Sequence, residues 1–456
     1  MTQPRRLDPE KHSDPAKADP ATNRVRKTLG LVFGEPAERG FDIGLWDGSV
    51  SPGRSAKRDD FSLVIRRRGA LRRMLLPPSE LSIAESYING DVDIEGNLES
   101  AIDLADAVAS RLRSAAAISR LAASVVRLPA GDHAPGDARA YSRRLKLLNP
   151  TGRRGGADAI QFHYDLGNDF YSLWLDKRMT YTCAYFRSED DDLDTAQLAK
   201  LDHICRKLRL KKGERLLDIG CGWGSLIIHA AERYGVDAVG ITLSQAQADL
   251  AREKIADRGL SHRCTVRLQD YRDLPAAETF DKIVSVGMME HVAEREQPKY
   301  FAIAFRALRP GGLFLDHFIV SNRTARRSNT LGEEISRRLW KRDAFMDKYV
   351  FPDGRLVALG SALAGSERAG FETRDVESLR EHYAMTLRWW LSGLEKRQAE
   401  AVRLVGEKTY RIWRLAFSGS ANGFSSGSLN LVQLLLSKHD HGDSRLPLTR
   451  DDIHRQ

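Results

Sequence analysis

The chain holds 456 residues, 42% of them hydrophobic, enough for two or three domains with sizeable cores and too apolar for global disorder. Lys and Arg number 71 against 62 Asp and Glu, and the net charge of +9 points to an acidic partner: nucleic acid, an anionic membrane or an anionic small molecule. No run approaches the ~18 apolar residues of a membrane span, and four cysteines without CxxC spacing exclude a disulfide scaffold and disfavour structural zinc. The N-terminus lacks an apolar signal core, so a reducing, cytoplasmic setting is expected.

In chain order, residues 1–25 are polar and Pro-rich and read as a disordered tail. Residues 26–128 read as a small α+β accessory domain. Within it FDIGLWDGSV (41–50) and FSLVIRRRGALRRMLL (61–76) look like short strands, 79–112 looks helical around a Gly-Asp turn, and 114–128 looks like a further helix. Residues 129–148 form a linker by composition. Residues 149–438 form the main domain. Apolar strands at 215–220, 237–243, 264–270, 280–287 and 311–320 alternate with helical patterns, which predicts a parallel, doubly wound α/β sheet. An edge strand is expected at 371–379 and a helical stretch at 382–413, with a polar tail over 439–456.

The strongest local motif is LLDIGCGWG (216–224). A strand runs into a turn with glycines at 220, 222 and 224, and a helix opens at Ser225. Glycines let a ligand approach the backbone, and the helix start offers free N–H groups. A dinucleotide fingerprint would be GxGxxG, with an acidic residue on the next strand; GITLS (240–244) has none. No Lys-Ser/Thr follows for phosphate. S-adenosylmethionine binding is the favoured reading, with Asp218 anchoring the amino acid end and Tyr271, after the third strand, beside the adenine. A bare strand–helix turn and simple packing of Tyr271 are the alternatives.

FHYDLGNDFY (162–171) and MTYTCAYF (179–186) resemble the cyclopropane-fatty-acyl-phospholipid synthase family, which includes the mycolic acid cyclopropane synthases. The likeness continues in order through LLDIGCGWGSL (216–226), GITLSQAQ (240–247), IVSVGMMEHV (283–292), KYVFPDG (348–354) and EHYAMTLRWW (381–390). AESYINGDVDIEG (84–96) resembles the N-terminal domain of the long bacterial synthases. The resemblance implies a class I, Rossmann-like methyltransferase fold with inserted helices, and a small N-terminal α+β domain that assists dimerisation or membrane docking. It implies methyl transfer from S-adenosylmethionine to a cis double bond of an unsaturated phospholipid. A carbocation forms and is deprotonated by bound bicarbonate. By motif, the anion site is Cys183, Glu290, His317, Tyr383 and the backbone N–H of Ile319. The cofactor site is Tyr181, Thr182, Asp218, Gly220, Gly222, Gly224, Thr242, Leu243, Gln247 and Tyr271.

Each of these has a plainer reading: Cys183 as a structural thiol, His317 and Tyr383 as core residues. Glu290-His291 lacks HExxH spacing, so no metal is expected. Asp316 and Phe318 depart from the family pattern beside His317, and an extra carboxylate there would weaken anion binding unless strand alternation turns it away. The stretch 418–438 lacks the Arg and aromatic residues common near the family's C-terminus, which keeps open a lipid C-methyltransferase without ring closure. No Asn/Asp-Pro-Pro-aromatic motif follows the fourth strand, so nucleic acid is not the expected partner. The expected partners are the bilayer phospholipid and an anionic membrane surface met through the Arg-rich 64–76 and 324–342, with a homodimer possible. The expected location is the cytoplasm, peripheral to the inner membrane.

Overall fold

The computed structural model describes residues 19–54, 61–76, 78–111, 114–131, 166–322, 344–351 and 356–454. Outside them lie residues 1–18 of the expected tail, most of the linker, the 162–165 part of the first family motif, 352–355 and the Arg-rich 324–342. The chain divides into two compact units: 1–147 with 325–352 and 405–422, and 148–324 with 353–404 and 423–456. The single uninterrupted main domain expected over 149–438 is therefore corrected, since two of its segments belong to the first unit.

The first unit opens on helix α1 (Pro20–Phe33), capped by Asp19, whose carboxylate accepts from the Ala21 N–H at 3.0 Å. Residues 20–25, expected in a tail, are thus helical. Val25, Leu29 and Val32 are buried against Phe61, Leu63 and Ile65, which is why the segment orders. The sheet of this unit runs β2 (Val50–Ser51), β1 (Asp42–Gly44), β3 (Phe61–Ile65), β4 (Val92–Gly96). Helices α2 (Ala70–Leu75), α3 (Glu80–Ile88), α4 (Leu98–Arg111) and α5 (Ala115–Val126) accompany it. Two local expectations change. The ALRRML end of the supposed strand is helix α2, and VDIEG inside the supposed helical run is strand β4.

The arginines of the 64–76 stretch are each engaged within this unit. Arg66 pairs with Asp93 at 2.9 Å, Arg67 and Arg73 with the fully buried Asp91 at 3.3 and 2.8 Å, and Arg68 with Asp19 at 3.0 Å. Arg72 donates to the Leu128 carbonyl. A second core joins Ala84, Tyr87 and Ile88 of α3 to Phe345, Tyr349, Ile412 and Ala416. Arg414 donates to the Tyr87 hydroxyl at 2.9 Å and to the carbonyls of Ile94 and Gly96, and Arg411 pairs with Asp93 at 3.0 Å.

The second unit holds a seven-stranded sheet. Its strands are β5 (Arg215–Ile219), β6 (Asp237–Thr242), β7 (Cys264–Leu268), β8 (Phe280–Val286), β9 (Leu308–Ser321), β10 (Glu372–Ser378) and β11 (Leu429–Ser437), in spatial order β10-β11-β9-β8-β5-β6-β7. β9, β8, β5, β6 and β7 are parallel, as the alternation predicts. β11 is antiparallel to both neighbours, so the sheet is mixed rather than wholly parallel. Helices α6 (Leu193–Lys207), α7 (Ser225–Tyr234) and α8 (Gln245–Asp257) belong with one face; α9 (Gln297–Ala307) and α10 (Leu359–Arg368) lie on the other.

Strand β9 shows how the two faces are assigned. Leu313 and Leu315 join the core with Leu201 and Ile204 of α6, whereas Phe314, Phe318 and Val320 join the core with Tyr300 and Phe301 of α9. A period of two in sequence thus becomes two separate cores. Helices α11 (Arg380–Lys396) and α12 (Gln398–Ser425) follow β10. α12 is broken at Gly406, whose φ of +82° is left-handed. The break falls where the chain leaves the second unit for the first.

Candidate active site

The loop from β5 to α7 carries the three glycines at φ +85°, +54° and +80°, conformations that disfavour any other residue. A Cβ on Gly224 would stand 3.1 Å from the Ala251 Cβ, so glycine also permits α7 and α8 to approach. The amides of Gly220 and Cys221 both donate to the Ile241 carbonyl, which fixes the loop against β6. At the end of β6, the Thr242 hydroxyl donates to the Gln247 Oε1 at 2.9 Å and accepts from the Ser244 N–H. Both side chains are buried, and Leu243 between them is half-buried. Tyr181 packs its ring 5.1–5.7 Å from Tyr171, Trp174 and Trp390. Tyr271 departs from expectation. It is 9% exposed, meets Tyr300 edge-on at 5.5 Å and belongs to the α9-side core. Packing, rather than an open adenine wall, describes it in this structure.

Beneath this loop lies a buried charge that sequence reading missed. Lys200 of α6 is 2% exposed, and its Nζ donates to the Thr182 Oγ1 at 2.8 Å. Burial pushes it down to about 8, with Asp176, Cys183 and Asp218 opposing. Asp218 is equally buried and is pushed up to about 7 by desolvation, Lys200 opposing. Its Oδ1 has no hydrogen-bond partner among the described residues. Lys200 is therefore bonded to Thr182 and sets positive charge near Asp218 at the end of β5. A Lys four residues after Ala-Gln-lined apolar positions carries no such meaning by itself; only the turn of α6 toward the sheet reveals it.

Among the five anion-site residues, Cys183 and Tyr383 share the Leu379 carbonyl, Glu290 meets the Ile319 amide, and His317 lies two residues before Ile319 on β9. The Cys183 thiol is fully buried and donates to the carbonyls of Ala184 at 3.2 Å and Leu379 at 3.9 Å; burial raises its pKa, so it is a neutral thiol. The same Leu379 carbonyl accepts from the Tyr383 N–H, one turn into α11. The Leu379 N–H donates to Leu431, which lies opposite Ile319 in the β11–β9 register. β8 ends with Gly287 donating to the His317 carbonyl, and beyond that point the Ile319 N–H finds the Glu290 Oε1 at 2.8 Å. The Ile319 amide expected to face an anion is thus held by Glu290. Burial pushes Glu290 up to about 7, and its Oε2 is buried and without a partner among the described residues.

His317 is completely buried on the α6 face, which holds its pKa well below the usual range and leaves it neutral. Its Nδ1 lies 3.2 Å from the Nε2 of Gln433, its cross-strand neighbour on β11, and its Nε2 is buried without a partner among the described residues. Asp316, one residue earlier, points to the opposite face. There it accepts from the Tyr300 hydroxyl of α9 at 3.3 Å, and burial, reinforced by the Glu290 charge, raises it well above the carboxylate range. The extra carboxylate is turned away from His317 and is neutral, so the anticipated conflict with an anion on the His317 side does not arise. Tyr383 packs its ring against Trp390 and Phe424 at 5.9 and 4.7 Å. The neighbouring His291 is neutral, pushed down to about 4 by burial.

Comparison with known proteins follows from this geometry. Residues 152–434 match the family described as mycolic acid cyclopropane synthetase. A probable fatty acid methyltransferase of Pseudomonas putida is 39% identical over 415 residues, covering 90% of this chain and 95% of that protein. The cyclopropane-fatty-acyl-phospholipid synthase of Escherichia coli K12 is 38% identical over 293 residues, 64% of this chain and 71% of its own. Among solved structures, mycolic acid cyclopropane synthase CmaA1 complexed with SAH and CTAB superposes with a TM-score of 0.57 at 34% identity, over 61% of this chain and 97% of that one.

Proposed function

The chain belongs to the mycolic acid cyclopropane synthetase family and is an S-adenosylmethionine-dependent methyltransferase; from that premise we propose that it alkylates the cis double bond of unsaturated phospholipid acyl chains and closes a cyclopropane ring. The alkene attacks the methyl carbon, S-adenosylhomocysteine departs, and positive charge falls on the neighbouring chain carbon. Loss of a proton from the added methyl closes the ring. An alkene is a weak nucleophile, so alignment and exclusion of water carry much of the rate.

The observation that supports this reading is a pair of buried polar atoms, His317 Nε2 and Glu290 Oε2, that have no partner among the described residues, on side chains tied to neighbouring positions of β9. Orphaned buried polar atoms are costly and mark the place of a polar ligand. Bicarbonate, when bound, supplies the base for the final proton. Neutral His317, the Cys183 thiol and the Tyr383 hydroxyl suit an oxyanion, and Glu290 accepts its hydroxyl. Tyr181, Thr182, Asp218, the Gly220–Gly224 turn, Thr242, Leu243 and Gln247 form the S-adenosylmethionine side; Tyr271 supports it from the core. The enzyme works at an anionic membrane surface on the cytoplasmic side. The arginines of 64–76 are already engaged, so the net charge of +9 and the Arg-rich 324–342, which lies outside the described residues, support that docking.

A second reading is a fatty-acyl C-methyltransferase giving a branched or methylene chain. It is favoured by the likeness to the probable fatty acid methyltransferase of Pseudomonas putida, which spans nearly the whole chain. Purified protein, S-adenosylmethionine and unsaturated phospholipid vesicles decide both. A mass gain of one CH2 in the acyl chains supports either reading, and cyclopropane protons in the NMR spectrum select the first. Active-site-intact protein that leaves the lipids unaltered overturns both, and flotation with anionic vesicles that is insensitive to salt overturns the electrostatic docking.

A further inference from the structure

We propose that Gln433 is a positioning residue that sets which nitrogen of His317 carries the proton, and with it whether the imidazole donates or accepts in the candidate anion site. The proposal rests on the reading of His317 as an anion ligand. Both side chains are fully buried on the α6 face of the sheet, and both are fixed by register, Gln433 directly opposite His317 across β11 and β9. The Gln433 Nε2 stands 3.2 Å from the His317 Nδ1. An amide nitrogen only donates, so Nδ1 must accept and must be bare. A neutral imidazole then has its one hydrogen on Nε2, the atom that is buried without a partner among the described residues. His317 is thereby a donor toward an oxyanion. The opposite amide orientation would reverse this: Oε1 would accept from Nδ1–H and leave Nε2 a bare acceptor, repelling the same ligand. In the structure that Oε1 is buried and unpaired. Its unmet bond is the cost of holding the donating tautomer.

The neighbourhood leaves few other groups to set the tautomer. Across the sheet the row continues from His317 through Gln433 to Glu377, but Glu377 is engaged with His203 at 2.7 Å and Lys207 at 2.9 Å.

The test is the tautomer itself. Full-length protein with 15N-labelled histidine is examined by two-bond nitrogen–proton correlation, with the His317 signals identified by their loss in His317→Gln. The expected result is a pyridine-like Nδ1 and a pyrrole-like Nε2. Gln433→Glu puts an isosteric, acceptor-only carboxylate against Nδ1, and the pattern should invert or become that of an imidazolium. Turnover on unsaturated phospholipid vesicles should then fall by on the order of 10²-fold or more, as when an orienting partner of a functional histidine is mis-specified. Gln433→Met, which removes the contact and keeps the volume, should leave a mixture of tautomers. A pyrrole-like Nδ1 in the wild type, or a pattern unchanged by Gln433→Glu, overturns the assignment. An inverted pattern with unaltered turnover overturns the positioning role while leaving the lipid reading intact. Wild-type protein inert on lipids sinks the lipid reading, and the nitrogen shifts still decide the tautomer.

Discussion

Asp316 and His317 are consecutive on β9, both wholly buried, and face opposite cores. On the α9 side, Asp316 has one hydroxyl donor and a neighbouring carboxylate, and burial keeps it protonated. On the α6 side, His317 has an amide partner and a remote set of lysines, and burial keeps it unprotonated. The same desolvation makes both groups neutral, by adding a proton to one and withholding it from the other. A buried donor without a partner among the described residues lies on the His317 side, whereas Asp316 accepts from Tyr300 and feels the Glu290 charge, so adjacent residues of one strand are prepared for different tasks.

The sharpest way to break that division is to disable each side. His317→Ala or Glu290→Gln should lower turnover by roughly 10²–10⁴-fold, the usual worth of a positioned acid–base group, while S-adenosylmethionine binding measured by calorimetry persists. Turnover close to wild type in either variant defeats the assigned roles. Lys200→Met removes the buried cation from beside Asp176 and Asp218. It should destabilise the protein by about 3 kcal/mol or more in urea unfolding, because two buried carboxylates then lose their counter-charge.

Asp316→Asn tests the packing side. The folded-state pKa of Asp316 is raised, so the folded chain holds this proton after the unfolded chain has released it. Stability is therefore lost as pH rises above the ordinary carboxylate value of about 4, at up to about 1.4 kcal/mol per unit, until the raised value is passed. The asparagine variant should lack that component. Its advantage over wild type should grow with pH, with turnover changed by less than about threefold. A pH–stability curve parallel to wild type would show Asp316 to be ionised. The smallest effect belongs to Tyr300→Phe, which removes the donor to Asp316 and should cost about 1 kcal/mol of stability with turnover unchanged.

Much of the second unit was legible from sequence because its strands are continuous apolar runs separated by amphipathic helices. β5, β6 and β8 begin and end within a residue or so of expectation. β11 was not legible. LNLVQLLLS follows a Gly/Ser-rich stretch that reads as loop, yet it inserts between β9 and β10 and supplies Gln433. Lys200 and Gln433 escaped because a polar residue on a helix or strand shows no partner until the fold brings one from another element, Thr182 18 residues from Lys200 and His317 116 residues from Gln433. In the first unit, β4 and α2 were hidden because strands and helices of five or six residues are too short to display a period.

The allotment of segments 325–352 and 405–422 to the first unit bears on how the gene can be cut. Solved relatives such as CmaA1 are matched over 97% of their length by 61% of this chain, which invites the view that residues 1–147 are a detachable prefix. The core that binds Ala84, Tyr87 and Ile88 to Phe345, Tyr349, Ile412 and Ala416 argues otherwise. A fragment starting near 149 would keep one half of that core and lose the other, leaving its apolar residues to aggregate. Shortening this enzyme to its compact relatives' length therefore calls for re-surfacing two internal segments as well as deleting the front, and gain or loss of the unit in evolution would have had to proceed at three places in the chain together.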